Sequence, residues 1–152
     1  MEAISFSRFI TAYNRIYKET DQLYHQLAKH FGLPDSAFWI LYILACSDQP
    51  LTQSELVSAL CLSKQTIHSA LKNLEQRGYI RLSGGGRNKR LHLTPSGLEL
   101  TQAAIRPVLQ MEERAFLGLD QPSCEGLLAC NQLWLDLLRQ ESAFILNTSQ
   151  ED

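Results

Sequence analysis

The chain has 152 residues, and its 14 lysine and arginine side chains against 16 aspartate and glutamate side chains give a net charge of -2. That length fits one small domain with extensions, and 45% hydrophobic with 20% charged residues is typical of a folded chain rather than a disordered one. No apolar run approaches the ~20 residues of a membrane helix, and the first residues lack the basic start and cleavage site of a secretion signal, so we expect a cytoplasmic protein without a membrane partner.

The first predicted helix covers residues 4–31, where apolar side chains recur at spacings of three and four and no Pro or Gly intervenes. A Gly-Leu-Pro sequence then ends this helix and turns the chain. Asp35 or Ser36 is expected to cap the second helix, residues 37–46. Because the second helix is apolar nearly all round, we expect it at the centre of the core.

Two shorter helices joined by a turn are predicted next. Thr52, with Glu55 three residues later, forms a capping-box pattern at the start of the first of them. Ser63 is the expected N-cap of the second, and Gly78 is expected to end it. The helix that Ser63 caps places its apolar side chains on one side and its polar side chains on the other. This pattern is typical of a helix that packs one face on the core and exposes the other to solvent.

A two-stranded hairpin follows this pair of helices. Residues 79–82 and 91–93 alternate apolar and polar side chains, as strands do. Residues 83–90 between them contain three glycines and three cations, which indicates a flexible, positively charged tip. Two helices joined by a short turn and followed by such a hairpin form a winged helix-turn-helix, and we assign residues 35–94 to it.

The C-terminal part is predicted to be helical again. Thr94 caps a helix that begins at Pro95, and Pro107 is expected to bend that helix or split it. A last amphipathic helix covers residues 123–145, and residues 147–152 are expected to form a flexible tail. The predicted fold is therefore mainly α, a winged helix-turn-helix with further helices at both ends.

Positive charge is concentrated in one segment of the chain. Residues 63–94 carry seven lysines and arginines against Glu75 alone, a net charge of +6, whereas residues 1–62 and 95–152 have net charges of -2 and -6. Such a segment creates a local positive potential that attracts phosphates. The alternative interpretation is a solvated charged surface without a partner.

Double-stranded DNA is the partner that this segment predicts. Gln65 suits an adenine edge, and Lys64 and Lys72 reach guanine or phosphate in the major groove. Arg87 at the hairpin tip suits a narrow A·T-rich minor groove. Serine and threonine hydroxyls near the helix start can donate to phosphate. The predicted DNA contacts are Ser63, Lys64, Gln65, Thr66, His68, Ser69, Lys72, Arg87, Lys89 and Arg90.

The segment from residue 51 to residue 97, LTQSELVSALCLSKQTIHSALKNLEQRGYIRLSGGGRNKRLHLTPSG, resembles the MarR family of bacterial transcription regulators. The shared parts are the helix with the pattern LS..T......LE.RG, the basic hairpin and the L.LT..G sequence that opens the next helix. The resemblance implies a homodimer that binds a palindromic operator and responds to a small molecule or an oxidant.

The resemblance also implies that residues 1–34 and 95–146 form a dimerisation domain. Independently, these terminal helices contain more apolar surface than one small winged domain needs, and two-fold symmetry would present two recognition helices about 34–36 Å apart. The alternative is that these helices fold back within a monomer and bury their apolar surface there.

One position departs from the family pattern in the hairpin. The family usually has Asp-x-Arg there, and this sequence keeps the arginine as Arg87 but has Gly85 at the aspartate position. Three consecutive glycines are expected to leave the hairpin looser, so that ordering it on DNA costs entropy. The hypothesis is that the hairpin increases the affinity for DNA but holds its position along the DNA less rigidly than is usual in the family.

A pocket for a small aromatic or phenolic effector is expected where the first, second and proline-bent helices meet the DNA-binding part. Its candidate lining residues have aromatic bodies with polar ends. Each of them could instead be an ordinary core residue. The candidates are Tyr13, Tyr17, Trp39 and Tyr42.

Cysteine and histidine chemistry gives weaker predictions. Cys61 and Cys124 are the candidate redox sites, Cys61 because a helix N-terminus follows it, whereas Cys46 is expected to pack in the core. His25 and His30 have no evident carboxylate or thiol companion in the sequence, so we predict no metal site.

The favoured interpretation is a dimeric DNA-binding regulator, acting as a repressor and needing no cofactor. The alternatives are a thiol-based redox regulator of the same fold and a winged-helix module that binds protein instead of an operator. No phosphate loop, nucleophile elbow, metal set or paired carboxylates occur in the sequence, so we do not expect an enzyme.

Overall fold

The computed structural model describes residues 3–86 and 89–148. It has the predicted mainly helical winged helix-turn-helix fold, with a small three-stranded antiparallel sheet. The chain divides into a first compact unit that ends at Leu109 and a second that begins at Gln110. The elements in chain order are α1 (Phe6–His30), α2 (Asp35–Cys46), β1 (Leu51–Thr52), α3 (Gln53–Leu60), α4 (Lys64–Gln76), β2 (Ile80–Ser83), β3 (Arg90–Leu93), α5 (Pro95–Ala104), α6 (Arg106–Leu117) and α7 (Gln121–Thr148).

The second helix lies at the centre of the first unit, as its composition predicts. Phe38, Ile40 and Leu41 of α2 have no exposed surface. Burying each such side chain contributes about 1.5–3 kcal/mol relative to leaving it in water. The other fully buried large side chains of this unit are Leu56, Ile67, Leu74, Leu91, Ile105 and Val108.

The ends of α2 differ from the prediction. The N-cap is Pro34, which makes no side-chain capping hydrogen bond, and Asp35 is already the first helical residue. The Asp35 carboxylate accepts instead from the ring of His25 on α1. At the other end, Cys46 is exposed rather than packed in the core, because it lies in the last turn where α2 leaves the core.

The sheet contains one strand that the sequence did not predict. β3 lies between β1 and β2, and it pairs antiparallel with both. β1 has only two residues, too few to display an alternating pattern, and it pairs Leu51 with Leu91 and Thr52 with Arg90. The β1 strand holds the start of α3 beside the hairpin. We call this hairpin, which consists of β2, β3 and the residues between them, the wing.

The backbone is closely packed at the junction between β3 of the wing and α5. Thr94 caps α5 by accepting from the backbone N–H of Gly97 at 3.1 Å, and its own hydroxyl donates to the carbonyl of Gly78. A Cβ atom at Gly97 would overlap the backbone carbonyl of Tyr79. Position 97 therefore requires glycine.

The C-terminal helices follow the prediction with two changes. The helix that begins at Pro95 is split before Pro107 into α5 and α6, as expected. α7 is longer than predicted, because it begins at Gln121 and continues into the predicted tail, as far as Thr148; the rest of that tail lies outside the described residues. Within residues 3–86 and 89–148, every helix is too short or too polar to cross a membrane.

Candidate nucleic-acid interface

Helix α4 separates its side chains into a buried face and an exposed face. Ile67, Ala70, Leu71 and Leu74 are buried against the core of the first unit. All seven predicted DNA contacts from Ser63 to Lys72 are exposed. We call the exposed side the recognition face, and it consists of Lys64, Gln65, His68, Ser69 and Lys72.

The start of α4 is fixed by its own cap. The Ser63 hydroxyl oxygen accepts from the backbone N–H of Thr66 at 3.0 Å, and the two hydroxyl oxygens lie 2.8 Å apart. Both hydroxyls are thus engaged with each other at the helix end. Lys64 and Gln65 occupy the first helical positions, where the helix dipole adds positive potential to the lysine charge.

The two strands of the wing, β2 and β3, pair with each other over four residues. Ser83 pairs with Arg90 at the end of the ladder, and the Ser83 hydroxyl lies 2.6 Å from Nε2 of His92. Gly84 and Gly86 have φ angles of 88° and 69°, a left-handed backbone that suits glycine. The predicted contact Arg87 lies outside the described residues, so its prediction stands as made.

A cleft of about 210 Å³ lies between the start of α3, the recognition face and the wing. It brings three predicted contacts together, His68 and Lys72 from α4 and Lys89 from the wing. Sequence reasoning missed Gln53, which also lines this wing cleft. The capping box was the available signal, because it places Gln53 at the first position of α3 and thus at a helix N-terminus beside the basic segment.

One carboxylate shares the wing cleft with these cations. Glu75 is the only acid between residues 63 and 94, and it lies one turn beyond Lys72 on α4. A phosphate in the cleft would be repelled by this negative charge and attracted by the two lysines that also line the cleft. The favourable end for an anion is therefore the part lined by His68, Lys72 and Lys89.

Arg90 has a structural role that the sequence did not reveal. Its Nη1 donates to the carbonyl of Pro50 at 2.7 Å and lies 3.8 Å from Oε2 of Glu55. Hydrogen bonds from the backbone and hydroxyl of Thr52 lower the pKa of Glu55, and the charge of Arg90 adds a smaller lowering effect. Arg90 therefore ties β3 to the start of α3 while remaining half-exposed.

Two of the four predicted effector residues, Trp39 and Tyr42, contact each other. Trp39 and Tyr42 are adjacent on α2, with ring centroids 5.3 Å apart, and Tyr24 of α1, which the prediction missed, lies 4.9 Å from Trp39. Tyr13 contacts Phe9 on its own helix at 5.9 Å. The last candidate, Tyr17, is exposed on α1.

The candidate redox residues lie in different units. Cys61 is the C-cap of α3 with a left-handed φ of 52°, and its thiol donates to the carbonyl of Ser58 at 3.6 Å. Cys124 is half-buried near the start of α7. No disulfide occurs in the part of the chain that the structure describes.

One histidine has the carboxylate companion that sequence reasoning did not find. Nδ1 of His25 lies 3.0 and 2.9 Å from the two carboxylate oxygens of Asp35, across the turn between α1 and α2. The sequence pattern does not predict this pair, because the two residues are ten positions apart and only the turn brings their helices side by side. Among the described residues, no group of three His, Cys, Asp or Glu side chains could hold a metal ion.

The known proteins that this chain resembles are transcription regulators. The model of the MarR family matches residues 31–91. The chain is 42% identical over 52 residues to the probable transcriptional regulator SauR from Cupriavidus necator, a match that covers 34% of this chain and 21% of that protein. The chain therefore spans about a fifth of the length of this curated relative.

Two solved structures cover nearly the whole chain. The MarR family regulator NMB1585 from Neisseria meningitidis has a TM-score of 0.75 at 21% identity, over 93% of this chain and 98% of that one. The complex of S. aureus MepR with DNA has a TM-score of 0.68 at 25% identity, over 90% of this chain and 99% of the MepR chain.

Proposed function

We propose that this chain, which belongs to the MarR family of transcription regulators, binds duplex DNA as a homodimer and represses transcription from a palindromic operator in response to an effector. The recognition face of α4 is the observation that carries this proposal. It is exposed, and the sequence has no carboxylate between Ser63 and Leu74. Its carboxamide and ammonium groups suit the base edges and phosphates of a major groove.

The wing supports the same function from the other side. Lys89 and Arg90 lie on β3 or just before it, so the wing can contact the sugar-phosphate backbone beside the groove that α4 enters. The neighbouring MepR structure contains DNA, which supports DNA as the ligand of the shared fold. A duplex would span the recognition face and the wing cleft together.

Exposed apolar side chains support the homodimer. In the first unit, Ile4, Phe6 and Ile16 at and along α1 are more than half exposed. In the second unit, large apolar side chains are exposed along α6 and α7 and in the turn between them, in a quantity that soluble monomers rarely leave in water. They are Phe116, Leu117, Leu119, Leu127, Leu128, Leu133, Leu135, Leu137, Leu138, Phe144, Ile145 and Leu146.

Effector response requires two states of the dimer with different DNA affinity. A ligand shifts their populations only by as much as its affinity for the two states differs. Tyr24 lies on α1, and its aromatic neighbours Trp39 and Tyr42 lie on α2, the first helix of the winged domain. A ligand bound there can therefore couple to the DNA-binding elements.

Selection of bound duplexes from random DNA tests this proposal. We expect the wild-type chain to enrich a palindrome with half-sites about one helical turn apart. Gln65→Ala is expected to relax one position in each half-site, whereas the control Gln140→Ala on α7 leaves the palindrome unchanged. Enrichment of no sequence would contradict the proposal and would favour a module that binds protein.

A further inference from the structure

A cleft of about 790 Å³ opens between α1, α2 and the start of α4. Its volume lies within the ~300–1,000 Å³ that is usual for small-molecule sites. We infer that this cleft, called the α1–α2 cleft below, binds a small aromatic molecule that carries an amine. Ligand binding in this cleft does not depend on the proposed function, but the effect of the ligand on DNA affinity does.

The charged wall of the cleft leaves one carboxylate available to a ligand. Asp21, His25 and Lys29 follow each other at intervals of four residues and so lie on one face of α1. The Asp35 carboxylate is already hydrogen-bonded by His25. Asp21 makes no hydrogen bond or ion pair within the described residues.

The available charges favour a cation at one end of the cleft. Asp21 and Lys29 are eight residues apart, which is about 12 Å along a helix at 1.5 Å per residue. An ammonium group beside Asp21 is therefore well separated from the Lys29 ammonium. A carboxylate in the same place would face both Asp21 and Asp35, so like charges would disfavour it.

An aromatic side chain of α2, Trp39, also lines the cleft. Trp39 is half-buried, and its indole is held by Tyr24 at 4.9 Å, Tyr42 at 5.3 Å and Phe38 at 5.4 Å between ring centroids. These neighbours restrict the indole while leaving part of it in the cleft. A fixed indole attracts both an aromatic ring and a nearby cation.

The cleft also reaches the recognition helix. Leu62 and Thr66 line it, and Thr66 is bonded to Ser63, the N-cap of α4. A bound molecule would thus contact the turn that orients Lys64 and Gln65. This contact gives the ligand a direct route to change DNA affinity, provided that it binds the DNA-competent state differently.

The direct test measures ligand binding without DNA. Trp39 fluorescence in the Trp134→Phe background is titrated with phenethylamine, 3-phenylpropionate and 2-phenylethanol, which share a ring and differ in charge. Calorimetry on the unmodified chain repeats the three titrations and does not depend on the Trp134 substitution. We expect saturable binding of the amine, weaker binding of the alcohol and the weakest binding of the carboxylate.

Substitution of the carboxylate locates the amine. Asp21→Asn is expected to weaken phenethylamine binding about 3–5-fold, the usual size of an exposed charge interaction, and to leave the alcohol unchanged. Asp48→Asn, which removes a carboxylate from a loop outside the cleft, is the matched control and is expected to change neither. Equal affinity for all three probes, or no effect of Asp21→Asn, would overturn the inference.

A separate measurement tests the link to regulation. Saturating phenethylamine is expected to change the affinity of the chain for its selected duplex, and Asp21→Asn is expected to reduce this change. Amine binding with unchanged duplex affinity would overturn the regulatory part of the inference. A failure of the chain to select any duplex would instead contradict the proposed function, so the two failures are distinguishable.

Discussion

Thr52 and Glu55 close a reciprocal capping box at the start of α3. The backbone N–H and the hydroxyl of Thr52 donate to Oε2 of Glu55 at 2.6 and 2.9 Å, and the backbone N–H of Glu55 donates to the Thr52 hydroxyl at 3.3 Å. The hydrogen bonds from Thr52 lower the pKa of Glu55 below its ordinary value. The box therefore links the start of the helix-turn-helix to a titratable charge.

This pKa direction predicts a pH dependence of stability. A carboxylate whose pKa is lowered by folding stabilises the folded state fully above its unfolded pKa, and this stabilisation is lost as the pH falls through the folded pKa. Glu55→Gln keeps an acceptor but removes the charge. We expect its melting temperature to be below that of the wild type at pH 7 and the difference to shrink towards about pH 3.

The difference in melting temperature between the wild type and Glu55→Gln reports on the Glu55 carboxylate alone. Asp120 also has a lowered pKa, because the hydroxyl and backbone N–H of Ser123 donate to it, but it titrates identically in both proteins. Thermal unfolding monitored by circular dichroism gives the two melting temperatures. A difference that stays constant across this pH range would contradict the role assigned to the Glu55 charge.

Gly97, at the start of α5, is predicted to tolerate no side chain. A Cβ at this position meets the backbone of Tyr79, which cannot move without disturbing the return from the wing to α5. We expect Gly97→Ala to destabilise the fold by about 3 kcal/mol, the upper part of the usual range for overpacking. Urea unfolding measures this change directly.

Gly85 provides the matched control for Gly97. A Cβ there meets nothing within 4 Å, and its backbone is not left-handed. Gly85→Ala is therefore expected to change the free energy of unfolding by less than about 0.5 kcal/mol. Equal destabilisation by the two substitutions would contradict the close approach between Gly97 and Tyr79.

The pattern of the sequence predicted most of the fold, because local signals determined most elements. Caps at Thr52, Ser63 and Thr94 lie where the sequence placed them, and Pro107 splits its helix as expected. Each of these features depends on residues within four positions of one another. Their physical cause was therefore visible in the sequence alone.

The features that the sequence did not predict depend on contacts between distant residues. The β1 strand forms because residues 51 and 52 pair with β3, about 40 residues later in the chain. The His25–Asp35 pair forms because the turn brings α1 and α2 together. The contact between Tyr24 and Trp39 likewise joins two residues that are distant in the sequence. Spacing along α1 did not indicate that Tyr24, rather than Tyr17, faces Trp39.

The proposed homodimer gives a further prediction. Leu138 is 46% exposed and lies within about 20° of Leu127 and Ile145 around α7, at 100° per residue. Leu138→Glu would place a charge in this apolar stripe, and we expect at least a tenfold weaker dimer, since burying an unpaired charge is costly. Sedimentation equilibrium measures the dissociation constant.

Ala143→Glu is the control for Leu138→Glu. Ala143 is exposed and lies on the opposite, polar side of α7, near the angular positions of Gln132 and Asp136. The same charge there is expected to leave the dimer unchanged. A wild-type chain that sediments as a monomer would contradict the dimer itself, whereas equal effects of both variants would contradict the assigned face.

The wing hypothesis predicts that one of two substitutions in the wing weakens operator binding and the other does not. Arg87→Ala is expected to weaken operator binding, because it removes a cation from the tip. Gly85→Asp restores the residue that the family pattern has beside this arginine, and the open space around Gly85 accommodates it. We expect Gly85→Asp to retain operator affinity, as measured by fluorescence anisotropy. No loss with Arg87→Ala would end the hypothesis.

The most direct test of the central claim, that the recognition face of α4 contacts duplex DNA, is the salt dependence of binding to the selected operator between about 50 and 200 mM salt. We predict a steep loss of affinity for the wild type and a slope reduced by about two for Lys72→Ala, since each dimer loses two phosphate contacts at about 0.9 each. Lys18→Ala on α1 is expected to keep the wild-type slope. No duplex affinity at about 50 mM salt, or equal slopes for Lys72→Ala and the wild type, would contradict the account.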